Sequence, residues 1–391
     1  MTSPTPRTRT LAAAGVAASV LLVGTGAATT AVAMQVLDRG GATSAGSATL
    51  IPSTTSQDDS GVVPDPGSVP QLSPYTRRGQ GFDPGTGSTS DETTSDATAE
   101  QSAGIVEITS TLANGTGAGT GLVLDQDGTI VTNHHVVEGA TSLEVTDVST
   151  GRTYAARYVG GDAVADVAVI QLEDASGLTP VDLSGDAAQV GDTITSVGDA
   201  GGDGGALTAA PGTVSALGQD ITVQATDGSS AELTDLIRMD AYVVPGDSGG
   251  AVLDGDGEVV GMNVAASSGS RQVTGYAIPI ATVSSIVDRI DAGDEGGDVE
   301  LGYHGYLGVG LATSASTPLV AQVIDGTAAQ DAGITAGDTI TAVDGTSVRT
   351  AQALQEAVAA HDAGDRVTIT WTTASGGTRS ATVTLGEGPV S

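Results

Sequence analysis

The stretch Val243–Val252, V-V-P-G-D-S-G-G-A-V, sets a serine among glycines. Gly246 and Gly249 lack the Cβ atoms that would block close approach to Ser248, and glycine enters φ > 0 without steric penalty. Such a turn can aim the N–H groups of Gly246 and Ser248 at one point, as a carbonyl becoming tetrahedral beside a serine hydroxyl requires. With 57 Gly in 391 residues, a glycine turn alone says little. The hydroxyl is a poor nucleophile and needs a base, itself held by a third group. The chain has four histidines, His134, His135, His304 and His361. The first two stand in V-T-N-H-H-V-V-E (Val131–Glu138), directly after a strand-like run. Asp166 opens A-D-V-A-V-I (Ala165–Ile170). A carboxylate heading an apolar strand needs a hydrogen-bonding partner, because burying it alone is costly.

The chain order is therefore His, Asp, Ser, with 31 residues from His135 to Asp166 and 82 more to Ser248. That is the order of chymotrypsin-type triads. Gly246–Gly250 also fits G-x-S-x-G, the nucleophile elbow of α/β-hydrolases. The elbow demands a helix directly after the serine and the order Ser, acid, His. Here Ser248 is followed by the apolar run Ala251–Leu253, an Asp-Gly turn and a second apolar run, so the elbow is rejected.

The elements that must position these residues are short and β-branched. Strands are expected at Ile105–Ser110, Thr120–Leu124, Thr129–Thr132, Leu143–Val148, Val167–Leu172, Thr193–Val197, Ile221–Ala225, Ala251–Leu253 and Val259–Val264. Asp127-Gly128 and Gly255–Gly257 read as hairpin turns. Asp125 and Asp254 head turn-like acidic clusters without the full ligand series of a calcium loop, so they are read as turns and no metal is expected. Many short strands at this spacing predict an all-β sandwich or barrel. Ile280–Ala292 carries apolar residues at helical spacing, and 293–300 is a Gly/Asp/Glu linker. Beyond it, Tyr306–Thr313, Leu319–Ile324, Thr339–Val343 and Val367–Thr373 read as strands and Ala351–His361 as a helix, a small α+β module.

Upstream, Arg7 and Arg9 precede an uncharged run, Leu11–Leu37, with a small-x-small site at Ala31–Ala33. A positive flank followed by an apolar run is the pattern of an export signal, and the run is long enough to span a bilayer. Residues 1–37 are thus expected to be a signal peptide or a membrane anchor, with the remainder of the chain placed outside the cytoplasm. Residues 38–102, rich in Ser, Thr, Gly, Pro and Asp, are expected to be a disordered linker. Net charge is −34, all 13 basic residues are Arg, and aromatics are 2%. A cationic face for phosphates is lacking, so nucleic acid is excluded as a partner, as is an anionic membrane surface. The core must be built from Val, Ile, Leu and Ala. Cysteine is absent, so disulfides contribute nothing.

G-T-G-L-V-L-D-Q-D-G-T-I-V-T-N-H-H-V-V-E-G-A resembles the His segment of the HtrA/Deg family of trypsin-like serine proteases, closest to its exported actinobacterial branch. D-V-A-V-I and G-D-S-G-G are similar to the family's acid and nucleophile segments. The likeness continues through Val197–Gly205, Pro211–Gly218, Gly257–Asn263 and Gly275–Pro279, covering roughly 104–385. The resemblance implies His135 as base, Asp166 as its orienting acid, Ser248 as nucleophile, and Gly246 and Ser248 as the oxyanion hole. It implies a mainly β fold: a chymotrypsin-like pair of six-stranded β-barrels over 103–292, then a small α+β PDZ domain over 301–389. His304-Gly-Tyr-Leu-Gly-Val309 resembles a PDZ carboxylate-binding loop, implying that the amides of Leu307, Gly308 and Val309 cradle a peptide C-terminus, over a groove floored by Leu354 and Val358. The function implied is an exported, cofactor-independent serine endopeptidase acting on unfolded polypeptides. Its partners are polypeptide substrates and C-terminal peptides; a tether through residues 11–37 and a homo-oligomer stay open. The alternative is a catalytically idle or resting peptide-binding protein of the envelope. Asp247 departs from the Asn common in the family. Tyr242 stands where trypsin has its specificity acid, which implies small or medium aliphatic P1 residues.

Overall fold

The computed structural model describes residues 94–390 apart from 114, 203, 225–229, 267–273 and 314, together with the short strand Gln35–Leu37. The remainder of the export segment and the linker down to residue 93 lie outside the described residues. No helix among the described residues is long and apolar enough to cross a membrane.

Both Asp-Gly turns close hairpins. The first joins β2 (Gly115–Val123) to β3 (Thr129–Thr132), with Leu122 opposite Val131. β1 (Ile105–Leu112) precedes them, and α1 (His134–Val137), β4 (Ala140–Asp147), β5 (Arg152–Asp162) and β6 (Val167–Leu172) come after. The strands pair in the order β5-β4-β1-β2-β3-β6, and β6 returns to β5, so the sheet closes as a six-stranded barrel. The second barrel is β8-β9-β12-β11-β10-β7, closed by β7 on β8. Its strands are β7 (Thr193–Gly198), β8 (Thr208–Gln224), β9 (Ser230–Asp240), β10 (Ala251–Leu253), β11 (Val259–Ala266) and β12 (Gly275–Pro279). The second Asp-Gly turn joins β10 to β11. Asp125 and Asp254 accept the backbone amides of their own turns, the side-chain turn that aspartate makes readily.

Strand alternation distributes the core. Val106, Ile108, Ala168 and Ile170 fill the first barrel. Ile105, Val167 and Val169 instead join a cluster shared with Val197, Met262 and α2 (Ile280–Asp291). β6 is therefore apolar on both faces. α2 forms where the periodicity places it, burying Ile280, Val283, Ile286, Val287 and Ile290.

Several strands escape sequence reasoning. β5 carries Arg152, Arg157 and two glycines, and only every second residue of Tyr154–Tyr158 faces inward. β9 places Thr234 and Asp235 between buried Leu233 and Leu236. Such half-polar strands are defined by their neighbours more than by their own residues. β13 (Val299–Leu301), in the expected linker region, pairs with Gly160–Asp162 of the first barrel.

The C-terminal module comprises β14 (Gly305–Tyr306), β15 (Val309–Leu311), β16 (Val320–Val323), α3 (Ala328–Ala332), β17 (Thr339–Val343), β18 (Thr346–Ser347), α4 (Ala351–Ala359), β19 (Arg366–Thr372), β20 (Thr378–Thr384) and β21 (Gly386–Glu387). Thr350 caps α4 by accepting the Ala353 amide, an N-cap typically worth ~1 kcal/mol. Leu354 and Val358 are buried with Ile340, Ile369 and Trp371 in this module's own core.

Candidate active site between the two barrels

β3 ends at Thr132, and the chain makes a single helical turn, α1, that carries His135 at its centre. The adjacent His134 is buried and meets the Tyr158 ring edge-on, centroids 6.2 Å apart. Ser110 Oγ donates to the Val136 carbonyl at 2.6 Å, so the turn is fixed from the β1 side as well. Asp166 sits immediately before β6 with φ 57°, a left-handed conformation that aspartate tolerates better than most residues. From there its carboxylate reaches α1 twice. Oδ1 accepts the His135 backbone N–H at 2.9 Å and Oδ2 lies 2.8 Å from His135 Nδ1. Asn133 Nδ2 donates to the Asp166 carbonyl at 3.0 Å. Burial works to lower the His135 pKa, but the Asp166 charge and hydrogen bond, helped by Glu138, outweigh it, and the net shift is upward.

Ser248 belongs to the turn leading into β10 and lines the same cleft as His135, with Leu112, Ala118 and Gly246. Among the described residues its Oγ makes one long contact, 3.4 Å, to the Val264 carbonyl. No hydrogen bond joins His135 to Ser248 among the described residues. Gly246 has φ 102°, and a Cβ there would lie 2.0 Å from the Asp199 carbonyl. Among the described residues no protein acceptor takes the N–H of Gly246 or Ser248. The carbonyls of this turn are occupied instead. Thr120 Oγ1 donates to Gly246 O at 2.8 Å and accepts the Asp199 N–H at 3.0 Å, while the Thr120 N–H donates to Ser248 O at 2.8 Å. Thr120 comes from the other barrel and is fully buried. Sequence reasoning passes it over, since nothing local marks a threonine in a Gly/Thr-rich strand.

Asp247, next to the serine, is buried. Oδ2 accepts the Val244 N–H at 2.8 Å, whereas Oδ1 has no hydrogen-bond partner among the described residues. Desolvation first, then the nearby Asp199 charge, push its pKa up to about 7 against the opposing Val244 bond. Tyr242 is partly exposed between buried Ala241 and Val243.

In the C-terminal module, Leu307 is buried and its carbonyl accepts the Ala329 N–H at 2.8 Å. Gly308 comes next at φ 80°, where a Cβ would lie 2.2 Å from Thr327 side-chain atoms. Val309 starts β15 opposite Val323 of β16. No protein acceptor among the described residues takes the Leu307 or Gly308 N–H. His361 lies beyond the end of α4, with Asp344 and Asp365 within 4 Å of its ring nitrogens.

Two closed barrels with a His–Asp pair on one and a glycine-flanked serine on the other define a trypsin-like peptidase domain, here followed by a PDZ domain. Residues 119–262 match the family model "Trypsin-like peptidase domain" and 305–385 the model "PDZ domain". The chain is 31% identical over 304 residues to serine protease PepD of Mycobacterium tuberculosis, covering 72% of this chain and 64% of that protein. It is 34% identical over 265 residues to the periplasmic serine endoprotease DegP of Escherichia coli, covering 64% and 53%. A solved structure of the HtrA-type protease AlgW with tripeptide is 26% identical, with a TM-score of 0.44, covering 74% of this chain and 96% of that one. The chain belongs to the HtrA family of trypsin-like serine proteases with PDZ domains. It spans between half and two thirds of the length of the curated relatives named here.

Proposed function

We propose that this chain is an exported serine endopeptidase that cleaves unfolded or misfolded polypeptides, with a peptidase domain over 103–292 and a PDZ domain over 301–389. The observation that carries this reading is the twofold grip of Asp166 on His135 across the cleft from Ser248. Asp166 holds the imidazole with Nδ1–H toward itself, leaving Nε2 as the base. Ser248 Oγ attacks the substrate carbonyl, and Nε2 takes the hydroxyl proton and later returns it to the leaving amine. The free N–H groups of Gly246 and Ser248 take the oxyanion; one such donor is typically worth about 10²–10³ in rate. The chemistry needs no cofactor or metal. Apolar neighbours of Tyr242 support an aliphatic P1 preference.

In the PDZ domain, the free amides of Leu307 and Gly308, with that of Val309, take the carboxylate of a C-terminal peptide, tethering substrate or regulating the peptidase. The expected place of action is the cell envelope or beyond, with residues 1–37 directing export and, if retained, tethering the chain. Homo-oligomer formation belongs to the same reading and is measured by light scattering.

The test is labelling by a fluorophosphonate probe beside Ser248→Ala. Labelling of the full chain alone, with a rate that climbs with pH through a midpoint above the ordinary imidazole value, supports the triad. A second reading, a resting or idle peptide-binding protein, is favoured by the missing His135–Ser248 hydrogen bond and the buried Asp247 carboxylate. Silence toward the probe, persisting when C-terminal peptides are added, would favour it.

A further inference from the structure

The short ribbon formed by β14 and β21 in the PDZ domain reaches the first barrel at both of its ends. Gly305 faces Glu387 and Tyr306 faces Gly386. Two residues before β14, Tyr303 turns into the first barrel. Its hydroxyl oxygen accepts the Tyr158 N–H at 2.9 Å, and the two rings meet edge-on with centroids 5.9 Å apart. Tyr158 in turn packs on His134, the residue before His135. Beyond β21, Gly388 donates to the His304 carbonyl, and two residues later Val390 reaches the far end of the same turn. The Val390 carbonyl accepts the Gly139 N–H at 2.7 Å, and the Val390 N–H donates to Ala140 O at 3.1 Å. Gly139 is the left-handed residue on which the chain leaves α1. Val390 is 3% exposed, in one cluster with Val136, Val137, Ala140 and Tyr158.

Neither contact belongs to peptide capture or to the cleft, and both converge on the one helical turn that carries His135. A single turn of four residues has almost no helical stability of its own, so its geometry is set by what packs around it. Asp166 grips it from the residue before β6 and Ser110 from β1; Val390 holds its C-terminal end and the Tyr303–Tyr158–His134 stack its N-terminal end. We propose that Val390 and Tyr303 are positioning residues for His135, holding the His134–Ala140 turn in register with Asp166. The proposal rests on the reading of His135 as the general base. It makes the PDZ domain's ribbon a structural part of the peptidase centre.

The experiment uses the full chain carrying labelled histidine, whose four imidazoles are resolved and assigned by NMR. Val390→Asp places a charge in the apolar cluster and drives the segment off Ala140, whereas Val390→Ile keeps the contact. Tyr303→Phe removes only the acceptor of the Tyr158 N–H. In Val390→Asp, and to a smaller extent Tyr303→Phe, the His135 titration midpoint is expected to fall toward the ordinary imidazole value. The low-field Nδ1 proton should broaden, and fluorophosphonate labelling should slow roughly tenfold. Val390→Ile should restore all three, and binding of a C-terminal peptide, followed by fluorescence anisotropy, should stay unchanged in every variant. An unmoved His135 midpoint and an unchanged Nδ1 proton in both Val390→Asp and Tyr303→Phe would overturn the proposal. Because the imidazole is read directly, a parent chain inert to the probe would remove the catalytic role of His135 while leaving its positioning decided by the NMR result.

Discussion

Asp247 places a carboxylate beside the serine with one oxygen unpartnered among the described residues. Its pKa in the folded chain, about 7, lies above the ordinary 3.8, so the native state holds this proton more tightly than the unfolded chain does. The resulting stabilisation is complete below 3.8 and disappears as pH rises through about 7, a loss approaching ~4 kcal/mol. Asp247→Asn keeps the shape and removes the charge. The variant should therefore gain in Tm over the parent as pH is raised from about 4 to about 8; a gap that stays constant over that span would show that the carboxylate is never forced to ionise while buried. Thr120 acts on the same turn from the opposite barrel. In Thr120→Val the Gly246 carbonyl and the Asp199 N–H lose their partner, an expected destabilisation of about 1–3 kcal/mol. Probe labelling should fall about tenfold or more as the two amides lose their aim. An unaltered labelling rate in a destabilised variant would confine Thr120 to a packing role.

The elements show which parts of this design are legible in a sequence. His135, Asp166 and Ser248 can be picked out as candidates because each sits in a short segment with a local pattern; the structure hydrogen-bonds Asp166 to His135 and sets His135 and Ser248 on one cleft. Thr120 and Tyr303 cannot be picked out, because their partners are 126 and 145 residues away and neither makes a pattern with its own neighbours. α2 is readable from its periodicity, whereas β5 is hidden by two arginines and two glycines. The turn before β10 is tightly constrained, since the position of Gly246 between Asp199 and Gly202 leaves no room for a side chain. Gly246→Ala combines an unfavourable φ, about 1–2 kcal/mol, with a clash against backbone that cannot swing aside. The expected outcome is a drop in labelling of about 100-fold or more, with PDZ peptide affinity retained. Near-parental labelling would mean that the turn adopts another conformation when it works.

At the scale of the whole molecule the dominant fact is charge. Forty-seven acids face thirteen arginines, and among the described residues the ion pairs of Arg with carboxylates are those of Arg157 with Glu387 and Arg289 with Asp294. The first joins exposed side chains, where a pair is worth little, so local pairing does not offset the summed repulsion. That repulsion keeps the chain soluble but opposes compaction, and it is long-ranged at low ionic strength, where the screening length reaches about 30 Å at 0.01 M and about 3 Å at 1 M. Sodium chloride should therefore raise Tm steadily across that interval, with the largest gain in the first tenth molar. The same field acts on partners, so an acidic C-terminal peptide should associate more slowly at low salt than a neutral one of equal affinity, the difference closing as salt is added. A Tm indifferent to salt would mean that bound cations already neutralise the acids, and the rate difference between the two peptides should then vanish with it.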